Sequence, residues 1–89
     1  MLDQIIEAYA GEELLKADGF DDAIIGICEG SHRLIYSASK CVKILMERDG
    51  MEYSDAVEFY DFNVSAAYVG PKTPIWCNDN FEKKGGSEP

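Results

Sequence analysis

AIIGICEGSHRLIY, residues Ala23 to Tyr36, holds two short apolar runs on either side of a polar connection, Glu29 to His32. The first run, Ala23 to Cys28, is β-branched and nearly all apolar. That pattern predicts a strand covered on both faces. Gly26 inside it signals a bulge or the close approach of another backbone. Arg33 to Tyr36 predicts a second strand. A connection this short makes an antiparallel hairpin the economical pairing.

N-terminal to the hairpin, residues 2–17 predict a helix. Leu2, Ile5, Ile6 and Tyr9 recur at the spacing of one buried face, and Leu14 and Leu15 resume it after Gly11, where a kink or a break into two short helices is expected. Gly19 after Asp18 is the expected stop.

C-terminal to the hairpin, Ser37 or Ser39 predicts an N-cap. The helix behind it carries an apolar stripe of Ala38, Cys41, Val42, Leu45 and Met46. Gly50 suits its left-handed C-terminal position. Ser54 predicts the cap of a third helix over Asp55 to Tyr68, ended by Gly70-Pro71. Thr73 to Cys77 reads as a last short strand, with Pro74 at its start or on an edge. The order is therefore α-β-β-α-α-β. It implies an α+β fold: a small three-stranded, mostly antiparallel sheet packed with about three helices. Residues 1–80 form one domain on this reading, and 81–89 a disordered tail. The docking edge of the last strand stays open.

Composition narrows the functional classes. The 89 residues carry 17 Asp and Glu against 8 Lys and Arg, a formal charge of −9. Nucleic-acid binding needs clustered Lys and Arg, so no direct nucleic-acid contact is expected. Anionic membranes are disfavoured for the same reason, and no apolar run reaches membrane-spanning length. A basic protein partner fits. The plainer reading of the acid excess is a solvated surface. The N-terminus lacks a basic signal-peptide region, so Cys28, Cys41 and Cys77 are expected as reduced thiols in the cytoplasm.

Three segments carry a resemblance: Asp18 to Gly26 (DGFDDAIIG), Lys40 to Met51 (KCVKILMERDGM) and Ala56 to Ile75 (AVEFYDFNVSAAYVGPKTPI). In pattern and order they resemble a family of small uncharacterised bacteriophage proteins. The resemblance brings no catalytic signature and no site residues. It implies a setting, an accessory phage product in the host cytoplasm.

Candidate sites are few. Cys28, Cys41, Cys77 and His32 are possible zinc ligands, but no CxxC or HxxxH pair announces a site. Asp18, Asp21, Asp22 and Glu29 cluster around the first strand without calcium-loop spacing, and aspartates before a strand commonly form turns. No metal and no cofactor are expected. His32 beside Ser31 lacks the oriented base–nucleophile pair that catalysis needs. Ala56, Phe59, Tyr60, Asn63, Val64 and Ala67 share a helical face. A buried Asn63 would tie the Gly70 to Pro74 loop through backbone groups, so Asn63→Ala is expected to lower stability. Trp76, with Tyr68, reads either as an exposed anchor or as core packing of the last strand.

Glu52, Asp55, Glu58 and Asp61 recur every three residues. At about 100° per residue their positions drift around the third helix, giving a broad acidic surface. With Asp21 and Asp22 they are the expected interaction surface of a non-enzymatic protein-binding module for a host or phage protein. One variant is an acidic inhibitor of a host factor. Two other classes stay open: a small metal-dependent enzyme using Asp21, Asp22 and His32, and a self-associating structural component.

Overall fold

The structure is a computed structural model and describes residues 1–79 and 81. The expected disordered tail therefore lies outside the described residues, apart from Phe81. Three helices pack with a three-stranded sheet: α1 (Leu2–Ala8), β1 (Ile24–Ile27), β2 (Leu34–Ser37), α2 (Ala38–Asp49), α3 (Tyr53–Phe59) and β3 (Ile75–Cys77). A short 3-10 turn, Asp21–Ala23, leads into β1, and a π-turn, Tyr60–Val64, continues α3. The α+β class and the order read from the sequence hold.

The hairpin forms as expected. Ile24 faces Tyr36 and Ile27 faces Leu34, with a register shift between Ile24 and Gly26. That shift is the bulge that Gly26 signalled. The alternative, close backbone approach, is not its cause, because a Cβ on Gly26 would meet nothing within 4 Å. Coverage of β1 on both faces is not found. The strand order is β1-β2-β3, so β1 is an edge and only Ile24 in it is buried. The covered strand is β2, with Leu34, Tyr36 and Ser37 all buried.

The last strand corrects the expected pairing. β3 runs parallel to β2, with Ile35 opposite Ile75 and Ser37 opposite Cys77. The sheet is thus mixed, one antiparallel and one parallel pairing, rather than mostly antiparallel. Parallel neighbours need a long crossover, and α2 and α3 supply it.

The first helix is shorter than its periodicity suggests. It ends at Ala8, and Gly11 takes φ +94° in the turn that follows. Beyond it the backbone finds a tertiary partner: Ala17 N–H donates to the Tyr36 hydroxyl at 2.7 Å. That bond replaces the helical one expected there, while Leu14 and Ala17 still pack against the core.

The second helix follows its sequence signals. Ser37 caps it, its Oγ accepting from Lys40 N–H at 3.1 Å, and Gly50 closes it in the left-handed region at φ +71°. Ala38, Cys41, Val42 and Leu45 are buried, whereas Met46 falls off the stripe at 36% exposed. Burial pushes the Cys41 thiol up to about 12, so it stays a protonated, hydrophobic group.

Asp79 completes this cap from 42 residues away. Its Oδ2 accepts from Ser37 Oγ at 2.6 Å and its Oδ1 from Ser39 N–H at 2.8 Å. Burial works to raise the Asp79 carboxyl, but donation from Ser37 and then Ser39 outweighs it and holds the group below its ordinary value. A depressed carboxylate stabilises the fold above its unfolded value, near pH ~4. That contribution is lost as pH falls through the lower folded value. Ser37→Ala should cost about 1–2 kcal/mol, the usual range for a cap. Asp79→Asn should be destabilising in urea melts at neutral pH, and its deficit against wild type should shrink at acid pH. A deficit that is the same at both pH values would show that the carboxylate charge contributes nothing.

Candidate functional site

The third helix departs from its expected course, and the departure builds the site. Ser54 does not cap it; Glu52 takes the N-cap position without a side-chain cap bond. Regular α geometry lasts only to Phe59. Ser65 N–H then reaches back five residues to the Tyr60 carbonyl at 2.9 Å, closing the π-turn, and the chain leaves helical structure well before Gly70. The buried stripe is narrow: Ala56, Tyr60 and Val64. Phe59, Asn63 and Ala67, expected on the same face, are exposed. Asn63 therefore does not tie the following loop, and Asn63→Ala loses its expected effect on stability. Thr73 does that work. Its Oγ1 accepts from Val69 N–H and donates to the Gly70 carbonyl, both at 2.7 Å, while Arg33 Nε holds the Thr73 carbonyl at 2.6 Å.

What the turn exposes is aromatic. Phe62 is 72% exposed and Phe59 38%. They line an open groove of about 450 Å³ with Met51, Asp55, Glu58 and Asn63. Among the described residues no Lys or Arg pairs with Asp55 or Glu58, and residues 51–71 contain no basic residue. Some acids elsewhere are engaged: Asp21 by Lys16 at 3.2 Å, Glu12 by His32 and Lys72, Asp49 by Arg48. Asp55 and Glu58 were expected in an interaction surface. Phe59 and Phe62 were not, although Phe62 falls outside the expected apolar face and directly follows Asp61, which is the signal that marks it.

The remaining expected residues separate. Asp61 turns away from this groove and lines a second cleft with Tyr60, Ser65 and Trp76. Asp21 and Asp22 lie in the 3-10 turn and line a third, with Gly19 and Arg48. Arg48 closes that region structurally. It donates to the Gly19 carbonyl at 2.7 Å and sits 5.3 Å from the Phe20 ring centroid. Gly19 has φ +87°, so the backbone favours glycine there; its missing Cβ would stand 2.8 Å from Arg48 Nη1, the far end of a flexible side chain that can move aside. The acidic surface is thus three separate faces.

His32 belongs to another cluster. Its Nδ1 lies 3.1 Å from Glu12 Oε1, and its ring meets Tyr9 edge-on at 5.1 Å. Donation from His32, with Lys72 behind it, holds the Glu12 carboxyl below its ordinary value. His32 follows the C-terminal end of β1 and Asp21 and Asp22 precede its start, so the three residues do not converge. Among the described residues no three His, Cys, Asp or Glu side chains are grouped to hold a metal ion. The three cysteines are free. In the hairpin turn the Ser31 hydroxyl, then the Ser31 and Gly30 N–H groups, lower the Cys28 thiol from its ordinary value.

Trp76 packs rather than projects. Its ring lies 4.9 Å from Tyr36 and 6.0 Å from Tyr60, and its buried Nε1 has no acceptor among the described residues. Tyr68 stands apart from it, 76% exposed. No helix among the described residues is long and apolar enough to cross a membrane. Compared with known protein families, with curated proteins and with solved structures, the chain finds no match in any of the three.

Proposed function

We propose that this chain is a non-enzymatic protein-binding module that works through the exposed face of α3 and the π-turn. One observation carries the reading: Phe59 and Phe62 are exposed in a single groove beside Asp55 and Glu58, which pair with no Lys or Arg among the described residues. Exposed aromatics are common anchors of protein interfaces, and a contiguous apolar patch on a small domain usually has a binding role. The groove is too open to enclose a small molecule, which is normally buried over most of its surface. The chain acts in the cytoplasm of a phage-infected bacterium, the setting its resemblance implies, on a host or phage protein. An inhibitory role toward a host factor is one form of this activity. Self-association through sheet edges has less support, because β1 is short and bulged, features that protect an edge.

Affinity capture from bacterial lysate, with and without infection, tests the proposal when wild type is run beside Phe62→Ala. The expected result is a protein retained by wild type and lost by the variant, with both melting at the same temperature. Identical captured sets would sink it.

A further inference from the structure

We infer that the groove on α3 takes a basic amphipathic helix of the partner protein, its apolar side on Phe59 and Phe62 and its Lys or Arg side chains against Asp55 and Glu58. The inference rests on the protein-binding reading and adds the chemistry of the occupant. Charge complementarity argues it. The groove is lined by two carboxylates that pair with no cation among the described residues, in a stretch of 21 residues, 51–71, that has no Lys or Arg at all. An incoming Lys or Arg finds unpaired acid at the rim and need not displace a resident partner. Phe59 and Phe62, three residues apart on successive turns, form an apolar ridge, the kind of feature a facing helix packs across.

The same charges exclude other occupants. A second copy joined by two-fold symmetry would lay the same patch on itself, acid against acid. Nucleic acid would meet carboxylate with phosphate. A neutral apolar helix would leave Asp55 and Glu58 partly desolvated without compensation.

The test uses the full chain, labelled for NMR, and three synthetic peptides of about 18 residues, long enough to form a helix when bound. One is an amphipathic Lys/Leu helix, one replaces every Lys by Glu, and one keeps the Lys count in a Gly/Ser background. Binding of the Lys/Leu peptide alone is expected, with amide shifts confined to residues 51–65. Raising salt from about 50 to about 300 mM should weaken it several-fold through screening. Asp55→Asn with Glu58→Gln should weaken it about tenfold, and Phe62→Ala by a similar factor. These residues are exposed, and each variant's own spectrum reports its fold.

Equal binding of the Glu peptide overturns the charge argument, and equal binding of the Gly/Ser peptide overturns the apolar anchor. Shifts outside residues 51–65, or dimerisation of the chain through the groove in light scattering, overturn the site. Failure of all three peptides, with a Phe62-dependent partner still captured from lysate, rejects this occupant and keeps the binding-module reading. Failure of both rejects both.

Discussion

Tyr36→Ala is expected to lower stability by about 3–5 kcal/mol, the range for truncating a buried aromatic. A chain of this size holds roughly 4–13 kcal/mol in total, so the variant stands at the margin of folding. The melting temperature should fall by roughly 15–30 °C, read by far-UV circular dichroism. The size follows from position. Tyr36 is fully buried on the central strand, stacks on Trp76 and accepts the Ala17 N–H through its hydroxyl. Removing it opens the sheet–helix layer and releases the segment after α1 together.

Tyr36→Phe separates the two roles. It keeps the ring and loses the acceptor, leaving the Ala17 N–H without its partner, at a cost of about 1–2 kcal/mol. Hydrogen exchange at the Ala17 amide should speed up more than exchange in α2. An Ala17 amide as protected as in wild type would show that the hydroxyl does not hold this segment.

Leu45→Ala is the second large effect, about 2–5 kcal/mol by cavity formation. Leu45 is fully buried in the layer where α2 meets the sheet and α3. Met46, its neighbour, is the control: 36% exposed, it should lose under about 1 kcal/mol on truncation to alanine. Urea unfolding of both variants reads the difference. Equal losses would mean that the α2 stripe faces a different direction. Because α3 rests on α2, Leu45→Ala should also weaken the binding proposed for the groove while leaving its lining residues unchanged.

The candidate site was half legible. Asp55 and Glu58 show themselves as unbalanced charge in a stretch without Lys or Arg. Phe59 did not, because ideal 3.6-residue periodicity puts it with Ala56 and Tyr60. Phe59 is the last residue of regular α geometry, and the π-turn that follows lengthens the repeat and leaves Asn63 in water. The turn is closed by backbone bonds, Ser65 to Tyr60 among them, which leave no residue signature. Asp21 and Asp22 looked continuous with the α3 acids in charge, and the fold puts them in a separate cleft.

By itself the sequence determined what is settled within a few residues: the hairpin, an irregularity at Gly26, a serine cap at Ser37 or Ser39, the Gly50 stop, most of the α2 stripe and the α+β class. Each rests on a hydrogen bond or a periodicity spanning at most a few turns, so the local side chains specify it. Only the tertiary structure decided the early end of α1 at Ala8, the parallel docking of β3, the Asp79 bonds to Ser37 and Ser39, and the exposure of Phe62. Those depend on partners up to 42 residues away. A backbone amide such as that of Ala17 is satisfied equally well by its own helix or by a distant hydroxyl. Burial of the rest of the chain selects which of the two it meets.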